Sequence, residues 1–304
     1  MLSQRGAVRE GFRRINAVSL RIAAISFLNP APLLYNFEHE PMASMLAARY
    51  TRHYTTPANC ARELHAGNAD LGLIPIAELT PELAIVPGCT IASLDEVRSI
   101  LLLVKNPRGL GQQDALAAVG SIAADAASRS SQAYAHILFE QWTGSRPVFS
   151  EADADPLAML AQHDAALLIG DPALLAREQR EEIDAVHGHA LLWLDLAHLW
   201  REHTGLPWVA AVWAVRPAAL VDVSSAQLIE DLIASRDAGL ANIPALVEEW
   251  SPRTGLPREV VRTYLTRNIH YVLDEPCLEA IRLFRSLAAA NGTLPPLETL
   301  NMLG

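Results

Sequence analysis

The chain has 304 residues, 51% of them hydrophobic, and a formal net charge of -10, so it can bury a large core but has no basic footprint for a nucleic-acid backbone. Its longest unbroken apolar run, Trp208 to Val215, falls far short of the ~18 residues that a membrane span needs. Three cysteines, Cys60, Cys89 and Cys277, lack any C-x-x-C spacing, so neither a disulfide framework nor a zinc site is expected.

In chain order, Met1 to Ser19 read as a flexible basic leader: four arginines, no apolar core and no cleavage signal. Ile22 to Ile25 read as a buried strand. Pro30 bars Asn29 from helix, and Pro32 suits a first helical turn. Ser26 and Asn29 therefore fall just past the carboxyl end of a strand, where open α/β sheets bind ligands, although a plain polar turn gives the same pattern.

Strands are expected at Tyr50 to Tyr54, Asp70 to Ile74, Ile85 to Ala92 and Val97 to Val104, with a helix over Ala58 to Ala66 capped by Thr56 and stopped at Gly67. A polar break after Lys105 opens a second block. It has strands at Ser121 to Asp125, Pro147 to Phe149 and Ala165 to Ile169, and helices at Gln132 to Trp142 and Pro156 to Ala161. Leu192 to Trp200 is helix or strand, undecided by periodicity. Val209 to Val215 reads as the strand returning to the first block. The text from Pro217 onward is almost wholly helical, ending in a helix over Asp274 to Ala290 that is expected to pack rather than catalyse. The pattern predicts two α/β lobes around a hinged cleft: residues 20–104 with 209–304, and residues 105–208.

Polar residues gather at the strand ends: Ser26 to Asn29, Arg98-Ser99, Ser128-Arg129-Ser130-Ser131 and Gly170-Asp171. A helix opening at Ser130 or Ser131 offers free N–H groups and a positive dipole end to a carboxylate or phosphate, and Arg129 could clamp a carboxylate. Equally, the serines could be caps and Arg129 solvated. There is no Gly-rich phosphate loop and no metal-ligand cluster, so no cofactor or metal is implied.

Five segments carry a resemblance: Ser26-Phe-Leu-Asn-Pro-Ala-Pro-Leu33, Arg98 to Leu102, Ser128 to Ser131, Ala165 to Asp171 and Thr204 to Trp213. In this order they resemble the chorismate dehydratases of the futalosine route to menaquinone. The resemblance implies a two-lobed fold like type II periplasmic binding proteins, a cytoplasmic location, chorismate as the small-molecule partner, and its conversion to 3-[(1-carboxyvinyl)oxy]benzoate and water. It also implies Asn29 as the catalytic residue and Ser26, Ser99, Ser128, Arg129, Ser130, Ser131, Gly170 and Asp171 as substrate-binding residues. Pro30-Ala31 and the Arg-rich leader depart from the family pattern. A sister enzyme, 1,4-dihydroxy-6-naphthoate synthase, carries a candidate base, a histidine, where this chain has Gly170, which favours the dehydratase. A non-catalytic small-anion binding module is the remaining alternative, and the oligomeric state is left open.

Overall fold

The computed structural model describes residues 19–125 and 129–304. The expected leader, apart from Ser19, and Ser128 lie outside the described residues. Two five-stranded mixed sheets carry the fold. The first contains β1 (Leu20–Ile25), β2 (Tyr50–Thr55), β3 (Leu71–Pro75), β4 (Ala84–Ser93) and β10 (Trp208–Val215), in the order β2-β1-β3-β10-β4. The second contains β5 (Ile100–Lys105), β6 (Ser121–Asp125), β7 (Val148–Ala152), β8 (Ala165–Ile169) and β9 (Leu191–Asp195), in the order β7-β6-β8-β5-β9. In each sheet four strands run in the same direction and one runs against them, β10 in the first, pairing antiparallel to both β3 and β4, and β5 in the second, pairing antiparallel to both β8 and β9.

One boundary differs from expectation. β5 was expected to close the first lobe, with the crossing after Val104, but it pairs with β8 and β9 in the second sheet. The chain therefore crosses between β4 and β5, over residues 94–99. The physical reason lies in β5 itself. Leu101, Leu102, Leu103 and Val104 are completely buried, so the strand must be covered on both faces: Leu102 and Val104 join the main core, and Leu101 and Leu103 join a smaller core on the opposite face.

The crossing is held by Asp195. Its buried carboxylate accepts the backbone N–H groups of Val97 and Arg98 at 3.3 and 2.7 Å, caps the helix Leu196–Thr204, and meets Arg177 at 3.0 Å. That clamp fixes Arg98 in the left-handed region, with φ 64°, which an L-residue adopts only when its surroundings impose it.

The undecided segment Leu192 to Trp200 contains both elements: β9 runs straight into the helix Leu196–Thr204. The helix expected over Gln132 to Trp142 begins earlier, as Arg129–Ile137, and widens into a π-turn at Leu138–Thr143. Thr56 caps the helix Pro57–Ala66 and Gly67 ends it at φ 75°, as expected. In the last helix, Glu275–Ala290, Cys277, Ile281, Phe284 and Ala288 are completely buried along one face.

The helix Ala31–Glu38, which begins right after the Asn29 turn, lies against the helix Ser225–Ala241 at Gly239. A Cβ at position 239 would sit 2.3 Å from the carbonyl oxygen of Pro32, so only glycine permits this approach.

Candidate active site

The carboxyl ends of β1, β3 and β8 and the opening residues of β5 and β10 face a common cleft, with about 520 Å³ between its walls including the part open to solvent. First-turn or cap residues of four helices line it: Pro30 for Ala31–Glu38, Pro57 for Pro57–Ala66, Arg129, Ser130 and Ser131 for Arg129–Ile137, and Gly170 for Gly170–Glu178. Each such end directs the positive pole of its dipole toward the cleft, although the Ala31 and Gly170 N–H groups are already taken, by the carbonyls of Leu28 and Ser99. Apart from Asn29, the rest of the wall is apolar. Arg129 is the one ionisable residue lining the cleft among the described residues, and its side chain is half exposed, with Nε 4.0 Å from Glu78.

Asn29 lies in the wall, and its Oδ1 is buried without a hydrogen-bond partner. A buried amide oxygen left unpaired is costly unless a ligand meets it. The indole N–H of Trp208 is in the same condition: Trp208 lines the cleft, is 1% exposed and has no acceptor. Trp208 falls within one of the five segments quoted above, yet sequence reasoning passed over it, because a tryptophan in an apolar strand carries no signal beyond its bulk. Phe27 was missed likewise.

The expected residues separate into two groups. Asn29, Arg129, Ser130, Ser131 and Gly170 are brought together in the wall. Ser26 is exposed and lies outside that lining. Ser99 also lies outside it: its buried hydroxyl accepts from Tyr264 at 2.8 Å, and its carbonyl accepts the Gly170 N–H at 2.8 Å, because a polar group buried that deeply must be paired. Asp171 does not line the cleft. Its Oδ1 accepts the Leu28 N–H at 3.1 Å, and burial pushes its carboxyl up to about 6 against the opposing pull of that N–H and of Arg253.

Ser130 differs from Ser131 in a way that its sequence position hides. Its hydroxyl donates to the carbonyl of Ala210 at 3.3 Å and accepts the Ala77 N–H at 3.2 Å, so it has no hydrogen left for a ligand. It tethers the helix end to β10. Tyr134, one turn on, donates to the carbonyl of Val209 at 3.1 Å and reinforces that tether. Ser131 is buried in the cleft wall, and its hydroxyl has no protein partner among the described residues.

Gly170 adopts φ 63°, and a Cβ there would stand 3.2 Å from the Phe27 ring. Any side chain at this point would meet both backbone strain and that ring.

The chain matches the family model described as menaquinone biosynthesis over residues 20–290. It belongs to the menaquinone biosynthesis family. A family relative, the chorismate dehydratase of Thermus thermophilus, is 27% identical over 234 residues, covering 73% of this chain and 81% of the relative. Among solved structures, a protein from Archaeoglobus fulgidus aligns with a TM-score of 0.67 at 17% identity, covering 91% of this chain and 98% of that one. The alkanesulfonate-binding protein SsuA from Xanthomonas axonopodis pv. citri aligns with a TM-score of 0.63 at 14% identity, covering 93% and 96%. This member of the menaquinone biosynthesis family thus has the periplasmic-binding-protein fold expected from its sequence.

Outside the cleft, one group of metal-capable side chains meets among the described residues: His270, Asp274 and Cys277, whose ligand atoms lie within 4.8 Å of one another. Asp274 already caps the last helix by accepting the Cys277 N–H at 3.0 Å, and burial pushes the Cys277 thiol up to about 12. The group serves the helix start. Among the described residues no helix is long and apolar enough to cross a membrane.

Proposed function

We propose that the chain is a chorismate dehydratase, a carbon–oxygen lyase that converts chorismate to 3-[(1-carboxyvinyl)oxy]benzoate and water in the futalosine route to menaquinone. The observation that carries this reading is the composition of the cleft: four helix N-termini and one arginine line it, and no Asp, Glu, His or Lys does among the described residues. Such a wall suits a dicarboxylate, and it offers no ready base to the ring proton.

The chemistry fits that wall. Dehydration breaks the ring C–H beside the enol ether and the neighbouring C–OH bond, and the electrons of the first close the aromatic ring. One of the substrate's own carboxylates takes the proton and passes it to the departing hydroxyl, which leaves as water. Asn29 has no basic nitrogen, but its amide N–H groups can stabilise charge that grows as the proton departs. The first-turn N–H groups at Ser130 and Ser131, with the free Ser131 hydroxyl, hold a carboxylate, and Arg129 at the rim screens the dianion. The apolar wall excludes water and strengthens each of these contacts. A hinge motion of the two lobes about residues 94–99 and the start of β10 would admit substrate and seal the cleft.

The three cysteines, all buried and unpaired, fit a cytoplasmic enzyme. Incubating the purified protein with chorismate and following the aromatic product by chromatography tests the reading. Formation of 3-[(1-carboxyvinyl)oxy]benzoate is expected, and unchanged chorismate would overturn the assignment.

A further inference from the structure

Arg285 stands behind the cleft, on the last helix, and is 3% exposed. Its Nη1 donates to the carbonyl of Ala77 at 2.6 Å and its Nη2 to that of Pro295 at 3.1 Å, while Nε has no partner. No carboxylate hydrogen-bonds to it among the described residues. Burial draws the guanidinium below its ordinary range, against the pull of the Glu78 carboxylate, yet an arginine keeps its proton. A buried cation that no carboxylate hydrogen-bonds is expensive, and two backbone carbonyls could be satisfied by a neutral donor. The residue that Arg285 grips leads into the cleft: Ala77 donates its N–H to Ser130 Oγ, and Ser130 donates to Ala210, with Ser130 and Ala210 both in the wall.

We propose that Arg285 is a positioning residue for anion binding in the cleft, a fixed positive charge behind the wall that also pins Ala77, and through it the Ser130 hydroxyl and the helix end that receives a substrate carboxylate. Its counter-ion is the bound dianion. This rests on reading the cleft as a chorismate site.

The test uses the full chain carrying Arg285→Gln or Arg285→Lys, with steady-state kinetics on chorismate, calorimetric binding of chorismate and thermal unfolding. Arg285→Gln keeps a donor for Ala77 but no charge. It is expected to raise KM about tenfold, with kcat changed less than KM, and Arg285→Lys to recover most of the difference. A Gln variant with wild-type KM, or Gln and Lys variants with equally raised KM, would overturn the proposal. A purely structural arginine would lower the melting temperature of both variants and leave KM alone. If Arg285→Gln fails to unfold cooperatively, Ser130→Ala in the native background reads the same chain of contacts, and an unchanged KM there overturns it. A wild-type protein that binds chorismate without turnover refutes the dehydratase reading alone, and the calorimetric affinities of the variants then decide this one. A wild-type protein that neither binds nor turns over chorismate refutes both.

Discussion

Asp171 accepts the backbone N–H of Leu28 at 3.1 Å, so a carboxylate at the start of a helix of the second block holds the turn that presents Asn29 from the first. Beside it, Phe27 rests against Gly170. These two contacts join the tip of β1 to the tip of β8, and several consequences can be measured.

The Asp171 carboxyl is raised by burial from its ordinary 3.8 to about 6, so the folded protein binds this proton more tightly than the unfolded chain. Its contribution to stability therefore falls as pH rises from about 4 to about 6 and stays low above that, by about 3 kcal/mol at most. Asp171→Asn keeps an acceptor for Leu28 and removes the titration. Its unfolding free energy should match wild type near pH 4 and exceed it at pH 7 to 8. Parallel wild-type and variant curves across that range in denaturant titrations would refute the account.

Asn29→Ala should lose turnover far more than affinity. If the amide meets charge only as the proton leaves, kcat should fall by about 10² to 10³, with KM little changed. Asn29→Asp adds a negative charge beside a dianion and should impair binding as well. Steady-state kinetics on the folded variants checks both, and a wild-type kcat for Asn29→Ala would remove Asn29 from the chemistry.

The two serines should separate. Ser131→Ala removes a free hydroxyl in the wall and should weaken chorismate binding by about 1 to 3 kcal/mol while leaving the melting temperature near wild type. Ser130→Ala cuts the tether to Ala210 and Ala77, so it should also lower stability, by about 1 to 3 kcal/mol. Calorimetric binding together with thermal unfolding of each variant would show the contrast, and identical profiles would contradict the different environments of the two hydroxyls.

Gly239→Ala places a methyl group against the backbone of Pro32, which cannot swing aside as a side chain would. Overpacking of this kind should cost about 1 to 3 kcal/mol or more. Because the helix pushed away is the one that follows Asn29, turnover should fall with stability. Denaturant unfolding showing wild-type stability would mean that the two helices can separate freely.

The strands were legible because apolar runs ended in polar tips: β1, β6 and β8 lie within two residues of their expected bounds. Pairing was not. The apolar text of β5 announces burial on both faces but does not say which sheet supplies the neighbours, and that misplaced the crossing by one strand. Site residues followed the same division. Asn29, Ser131 and Gly170, expected from their place at strand and helix ends, line the cleft, whereas the Ser99 hydroxyl is taken by Tyr264, 165 positions away, and Asp171 by Leu28, 143 positions away. Periodicity cannot see contacts that distant in the chain. Arg285 was hidden for another reason: it falls in a helix whose apolar stripe reads as packing alone.

The convergence of helix ends on the cleft gives the anion preference proposed for it an unusual permanence. A preference built from lysines or histidines can be erased by one substitution or reversed by a change of pH, whereas main-chain dipoles have no proton to lose and are common to every residue type. Side chains in this wall can therefore drift, refining which anion is accepted and what becomes of it, while the sign of the molecule admitted stays fixed for as long as the strands deliver their helices to the same place.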